Sequence, residues 1–320
     1  MASIGITGGA GYIGAKLAQR LIQEGHFVKI VDKQPLKDID SPNLEIANGD
    51  VLDEKVLEQF VDGLDFVYHL AAIANTRDCS NNIRKSIDLN VLSTRLLLEK
   101  VKHKNIKGFF FPSSIVALYG ELEYIPADEK HPIKPINDYG VLKRASELFC
   151  LAYYRSFGVP VIIGRQSTVY GPSPSMKLDC AAHNFIHNVI NGKDIVIYGS
   201  GNQKRNFIFI DDLVEAYFKI FTKSFQNQDI LGEVFHLAGK EVITINALAQ
   251  KIIKIGQGML GAQSKIEHKQ AQNEPMARDL KISITKVKEY FGFEPRYSID
   301  DGLKETFSYL HTLNKESRRK

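Results

Sequence analysis

Residues Ile4-Gly-Ile-Thr-Gly-Gly-Ala-Gly-Tyr-Ile-Gly14 decide the fold. A strand-like apolar run ends in a glycine cluster that satisfies two templates at once. Gly9, Gly11 and Gly14 give G-x-G-x-x-G, and Gly8, Gly11 and Gly14 give G-x-x-G-x-x-G. Glycine tolerates positive φ in such a turn and lets the backbone approach a pyrophosphate, whose charge the N-terminus of a helix beginning at Tyr12 stabilises. The context agrees. An amphipathic pattern runs from Ile13 to Glu24, and Asp32 closes the next apolar run, 18 residues after Gly14. A carboxylate there accepts hydrogen bonds from a ribose 2′-hydroxyl and repels a 2′-phosphate, which favours NAD over NADP. Lys33 follows and softens that repulsion, so NADP stays open.

Outward from this loop, short apolar runs alternate with helical patterns. Ser3 to Thr7, Phe27 to Asp32, Leu44 to Ala47, Asp65 to Leu70, Gly108 to Pro112 and Val159 to Arg165 read as strands. Ile13 to Glu24, Val51 to Val61, Ile87 to Val101 and Asp138 to Phe157 read as helices. Near-continuous apolar strands separated by helices predict a Rossmann-type α/β fold, a doubly wound parallel sheet covered on both faces. From about residue 167 the pattern is less regular, with short strands at Ile195 to Tyr198, Arg205 to Ile210 and Val234 to Leu237, and helices at Asp211 to Thr222, Ile245 to Ile255 and Ile299 to Leu313. The expectation is a dinucleotide-binding domain over 1–166 and a smaller, mainly substrate-binding α/β domain over 167–320, with later helices crossing back onto the first. The site belongs at the carboxyl ends of the sheet.

Composition narrows the class. A chain of 320 residues with 44% hydrophobic and 24% charged residues is an ordinary globular balance, which excludes disordered and fibrous classes. Forty-one basic against thirty-seven acidic residues leaves +4, too small a bias to imply nucleic acid. Cys79, Cys150 and Cys180 are an odd number with no metal spacing, so free thiols, no metal and a reducing compartment are expected. No apolar stretch approaches the roughly 20 residues of a membrane span, and the N-terminus shows no basic leader region. The expected location is the cytoplasm.

Tyr139 and Lys143 stand four residues apart, which on a helix stacks them on one face, with Asp138 in its first turn. A tyrosine acting as a base near neutrality must have its pKa lowered by roughly 3, worth about 4 kcal/mol of phenolate stabilisation, and a neighbouring ammonium has the right sign. Phe109-Phe-Phe-Pro-Ser-Ser114 is an apolar strand emerging into two hydroxyls at the carboxyl edge, where Ser114 is placed to bond a reacting oxygen.

With these motifs in hand, the chain resembles the extended short-chain dehydrogenase/reductases, specifically the NAD-dependent nucleotide-sugar epimerase/dehydratase family, over nearly its whole length. Gly49-Asp-Val51 and His69-Leu-Ala-Ala72 match segments that flank the adenine and the ribose-nicotinamide path, and Asn90 matches an asparagine beneath the active site. The resemblance thus implies cofactor contacts at Gly8, Gly11, Tyr12, Ile13, Gly14, Asp32, Lys33, Asp50, Val51, Leu70, Ala71, Ala72, Asn90, Ser113, Tyr139 and Lys143, and a catalytic set Ser114, Tyr139 and Lys143. Arg165-Gln-Ser-Thr-Val-Tyr-Gly-Pro172 is similar to Arg-x-x-Asn-Val-Tyr-Gly-Pro, and Tyr198-Gly-Ser-Gly-Asn-Gln-Lys-Arg-Asn-Phe207 to Tyr-Gly-x-Gly-x-Gln-x-Arg-x-Phe. By that likeness Thr168, Arg205 and Arg278 bind substrate with Ser114, the two arginines clamping a nucleotide diphosphate.

The chain departs from the pattern at three places. Thr168 replaces an asparagine and Lys281 stands near a usual aspartate. One extra residue separates Ser114 from Tyr119-Gly120, which leaves Ser113 open as the catalytic hydroxyl. Ile115-Val116 occupies the place of the Asp-Glu pair of 4,6-dehydratases, so water elimination lacks its proton carriers. The implied activity is NAD-dependent C4 epimerisation of a nucleotide sugar by a homodimer, through a 4-keto intermediate. Two alternatives stay open: a nucleotide-sugar dehydrogenase or 4-ketoreductase, and a non-catalytic dinucleotide-sensing regulator, which has no need of both Tyr139 and Lys143.

Overall fold

The computed structural model describes residues 1–36, 39–270 and 279–317. Six parallel strands of the first half, β1 (Ser3–Thr7), β2 (Phe27–Asp32), β3 (Leu44–Asn48), β4 (Phe66–His69), β5 (Gly108–Ser114) and β6 (Val161–Gln166), lie where the apolar runs place them. Three short strands follow, β7 (Thr168–Tyr170), β8 (Ile195–Tyr198) and β9 (Lys204–Phe209), then β10 (Val234–Leu237), β11 (Val242–Thr244) and β12 (Ile266–Lys269). The main sheet runs β10-β6-β5-β4-β1-β2-β3, with every pairing parallel. Strand order reverses at β1, so a crevice opens beyond its carboxyl end, which is where the glycine loop sits.

One expectation is corrected here: Val234–Leu237 belongs to the main sheet, paired with β6, not to the smaller second region. Its four residues are nearly all buried, and β6 would otherwise present an unpaired edge. The second region keeps a three-stranded sheet, β11-β9-β7, and a β12-β8 pair.

The helices are α1 (Tyr12–Gln23), α2 (Glu54–Phe60), α3 (Thr76–Asn81), α4 (Ile83–Ile87), α5 (Ser93–Val101), α6 (Ile115–Leu118), α7 (Asp138–Phe157), α8 (Ala181–Ile190), α9 (Ile210–Ser224), α10 (Ile245–Leu260), α11 (Thr285–Phe291) and α12 (Ile299–Ser317). Period-two alternation divides β5 between two cores. Phe110 packs with Tyr68, Leu17, Leu21 and Tyr217 under α1 and α9, whereas Phe109 and Phe111 pack with Leu97, Leu98 and Tyr153 under α5 and α7. From the second half of the chain, α9 packs on α1.

The helix expected over Ile87 to Val101 is interrupted. A π-helical turn, Asp88–Leu92, joins α4 to α5. Such a turn misaligns one backbone carbonyl with the helical ladder. Asn90 O takes Thr94 Oγ1 at 2.8 Å and, from α7, Ser146 Oγ at 2.7 Å. The break therefore ties the two helices together. No helix among the described residues is long and apolar enough to cross a membrane.

Candidate active site and cofactor cradle

The glycine loop is built by close backbone approach. Gly8 has φ +69°, and a Cβ there would stand 2.7 Å from Ala71 N; a Cβ at Gly14 would overlap Gly8 O. Neither position admits a side chain, so β1, α1 and the segment after β4 meet at van der Waals distance. Gly11 caps α1 without a side-chain hydrogen bond, leaving the first-turn amides at Tyr12 and Ile13 to an external acceptor. These residues fit a dinucleotide pyrophosphate.

Asp32 is fixed from both sides: Ala10 N donates to Oδ2 at 3.0 Å and Gln34 N to Oδ1 at 2.9 Å. Lys33 turns instead to Asp50, Nζ to Oδ2 2.5 Å, and Leu52 N donates to the other Asp50 oxygen at 3.1 Å. Lys33 is thus engaged by Asp50, so the charge expected to soften repulsion at Asp32 is largely offset by that partner. Val51 is buried beside them.

On the nicotinamide side, Thr7 Oγ1 holds Ala71 N at 3.2 Å and meets His69 Nδ1 at 2.7 Å. His69 is buried, with Thr94 Oγ1 at 3.1 Å from Nε2; burial, aided by Lys143, pushes its pKa down to about 3, so it is a neutral structural imidazole. Asn90 brackets Ile73, accepting from its N–H at 2.7 Å and donating to its carbonyl at 3.0 Å. It braces the end of the Leu70-Ala71-Ala72 segment from below.

Asn137, which the sequence reading passed over, caps α7 by accepting Gly140 N at 2.9 Å. A Cβ on Gly140 would overlap Ala117 O, so the first turn of α7 lies directly against α6, whose own N-cap is Ser114. Lys143, buried one turn further, donates from Nζ to Pro112 O at 2.8 Å. Tyr139 and Lys143 therefore flank the end of β5, with Nζ 6.0 Å from the Tyr139 ring centre. Burial pushes the Tyr139 phenol up and the Lys143 ammonium down, the latter to about 8 with Glu147 opposing the fall. The ammonium alone does not make Tyr139 a base near neutrality. It stands off the ring and is hydrogen-bonded to a carbonyl, while partial burial of the phenol acts against the phenolate.

The two serines have different surroundings. Ser114 is partly exposed, its Oγ 3.3 Å from Ala117 N. Ser113 is buried and registered opposite Arg165, beside the Glu147 carboxyl that it helps hold down. In the second region Thr168 on β7 pairs with Phe207 on β9, two residues from Arg205, whose Nη1 donates to Lys204 O at 2.8 Å. Arg278 lies outside the described residues. Among the described residues no group of three or more His, Cys, Asp or Glu is arranged to hold a metal ion.

The sequence model described as the NAD dependent epimerase/dehydratase family matches residues 4–238. A putative UDP-glucose 4-epimerase of Methanocaldococcus jannaschii is 31% identical over 317 residues, 97% of this chain and 99% of the relative. Among solved structures, UDP-glucuronic acid 4-epimerase from Bacillus cereus, in complex with UDP-glucuronic acid and NAD, is 28% identical with a TM-score of 0.88, over 97% of this chain and 99% of that one. UDP-glucose 4-epimerase from Thermotoga maritima, with UDP-glucose, is 27% identical with a TM-score of 0.85, over 98% and 99%.

Because Asp32 is held by two amides while Lys33 is engaged by Asp50, calorimetry should show NAD binding at least 10-fold more tightly than NADP, about 1.4 kcal/mol or more. Asp32→Ala should narrow that gap. Equal affinities in the unmodified protein would refute the assignment.

Proposed function

The chain belongs to the NAD-dependent epimerase/dehydratase family, and on that premise we propose that it interconverts a nucleotide sugar and its C4 epimer through a transient 4-keto sugar. The observation that carries this reading is the packing of Tyr139 and Lys143 against the end of β5 and α6, beside a glycine cradle, with Ile115 and Val116 following Ser114. The cradle fits a bound dinucleotide, and the aliphatic pair offers no acid for eliminating water.

Tyr139 accepts the proton of the sugar 4-hydroxyl, and Ser114 hydrogen-bonds the oxygen as it becomes a carbonyl. Lys143 contributes positive charge at the end of β5. What NAD supplies when bound is a reversible hydride acceptor and a second positive charge, the one that Tyr139 needs beyond Lys143. Arg205, with Arg278, would hold the diphosphate and Thr168 would add a hydroxyl from the neighbouring strand, leaving the tethered 4-keto sugar free to present either face. The named relatives are UDP-sugar epimerases, so UDP-hexoses and UDP-hexuronic acids are the first substrates to try. Three free cysteines fit a cytoplasmic setting.

A second copy of the chain is the proposed partner. Ile83 and Ile87 on α4, Leu92 in the π-turn, and Val141 and Leu148 on α7 are exposed apolar side chains on helices that pack together. Two such helix pairs meeting about a two-fold axis would cover them. Light scattering at micromolar concentration should give twice the 36.0 kDa chain mass; a monomer rejects the assembly.

Incubated with a panel of UDP-sugars labelled with deuterium at C4, the protein should bring one of them to equilibrium with its C4 epimer, retaining the label, with no added NAD and no net NADH. Tyr139→Phe should lower turnover by about 100-fold or more while leaving NAD affinity within a few-fold, because it deletes the proton acceptor and leaves the cradle intact. Label lost to solvent, a 4-keto-6-deoxy product or net NADH would each overturn the reaction proposed.

A further inference from the structure

Resting on the reading of Tyr139 and Lys143 as reacting groups, we infer that Glu147 is a positioning residue for that pair: a buried carboxylate, clamped to the sheet by Arg165, that fixes the register of α7 and keeps Lys143 charged. Glu147 is fully buried four residues after Lys143, on the same helical face. Arg165, itself buried on β6, grips it in a two-pronged pair, Nε to Oε1 and Nη2 to Oε2, both 2.9 Å. Arg144 Nη1 reaches Oε2 at 2.9 Å from the half-exposed rim.

The clamp extends across three strands. Ser113, Arg165 and His236 are in register on β5, β6 and β10. Arg165 Nη1 donates to Tyr119 OH at 2.8 Å and to Glu129 O at 3.3 Å, and Tyr119 OH shares a hydrogen bond with His236 Nε2 at 2.7 Å. A helix that carries its reacting groups on its first two turns is thus anchored to the sheet by its third. Removing one member would leave a buried charge uncompensated, a large cost compared with an exposed pair.

The electrostatic part follows from what faces Lys143. On α7 these groups are Tyr139, Glu147 and Cys150, with Arg144 bonding Glu147 from the rim. Cys79 faces it from α3, His69 from β4, and Arg165 lies behind Glu147 on β6. Burial pushes both thiols and the Tyr139 phenol up and His69 down, so all four are neutral near pH 7. Burial also acts to raise Glu147, but the bonds and charge of Arg165 outweigh it and the carboxylate stays ionised. Among these groups Glu147 is the one negative charge acting on Lys143. Burial alone drives the ammonium toward neutrality, so losing Glu147 lowers its pKa further, and the loss of charge then begins at lower pH.

Carbon-13 NMR of lysine-labelled protein tests this without any turnover. The Lys143 Cε signal, identified by its loss in Lys143→Arg, should titrate with a midpoint of about 8. Glu147→Gln should lower that midpoint by about one pH unit, a tenfold change in proton affinity, whereas Glu147→Asp should keep it within a few tenths. A folded Gln variant with an unchanged midpoint would overturn the inference and leave Glu147 a purely structural anchor. If that variant does not fold, Glu147→Gln combined with Arg165→Met carries the test, because it removes the buried pair together: the midpoint should again fall, and an unchanged midpoint overturns the inference. A shifted midpoint in a protein that turns over no nucleotide sugar would count against the proposed reaction alone.

Discussion

Everything at this site depends on how closely three backbone segments approach one another beyond the end of β1. Gly8 and Gly14 face atoms that leave no room for a methyl group, and Thr7 fastens the following segment through Ala71 N and His69. An anion-binding helix terminus is useful only if its amides point into a space bounded on the other side by something rigid. Here that boundary is the Leu70-Ala71-Ala72 segment, which Asn90 supports at Ile73. The same asparagine gives its carbonyl to Ser146 on α7, so one residue links the floor of the cradle to the helix bearing Tyr139 and Lys143. The π-turn therefore carries, in one residue, both links between the cradle and α7.

Within this frame the electrostatics are uphill. Lowering Lys143 from 10.5 to about 8 corresponds to roughly 3 kcal/mol against the ammonium, and Tyr139 is pushed in the direction that keeps its proton. A site in which burial acts this way favours the neutral phenol as long as no further positive charge is brought beside it. The buried Arg165–Glu147 pair makes the arrangement tolerable, because every buried charge near α7 has a partner of opposite sign or a carbonyl.

Much of this was legible in the sequence because it rests on local rules. Glycine spacing, apolar runs of strand length and a Tyr/Lys pair at helical spacing are set by backbone sterics and periodicity, which a single chain displays. What was missed is non-local. Val234–Leu237 has the pattern of any short strand, and nothing nearby tells it to close the large sheet rather than the small one. The role of Arg165 could not be separated from a motif match, since its partner Glu147 lies 18 positions away on another element. One signal was available: a glutamate four residues after Lys143, on the face of α7 that also carries buried Ser146 and Cys150. A carboxylate on such a face demands a cation, and Arg165 at a strand end was a candidate. For Tyr139 the surroundings were not legible for a different reason. Spacing gives the sign of a neighbour's charge but not the depth of burial, and here burial is larger.

Tyr12 shows how the two regions of the chain are joined. It opens α1, at the cradle, yet its hydroxyl donates to Gly171 O at 2.8 Å and its carbonyl accepts Ser173 Oγ at 2.7 Å. His183 Nε2 takes Gly171 N at 3.0 Å and its ring meets Tyr12 edge-on, while Tyr309 from α12 donates to Ser173 O at 3.1 Å. The Val169-Tyr-Gly-Pro172 turn is thereby fastened to the first residue of the anion-binding helix. Thr168 sits on β7, which leads into that turn, and Arg205 on β9, which pairs with β7, so the distance from the cradle to these two strands is set by direct bonds and not by a flexible linker. A sugar that must turn over between two hydride positions needs freedom in its ring and none in its anchor points. Tyr12 contributes to the second requirement from a position whose side chain points away from the pyrophosphate site it opens.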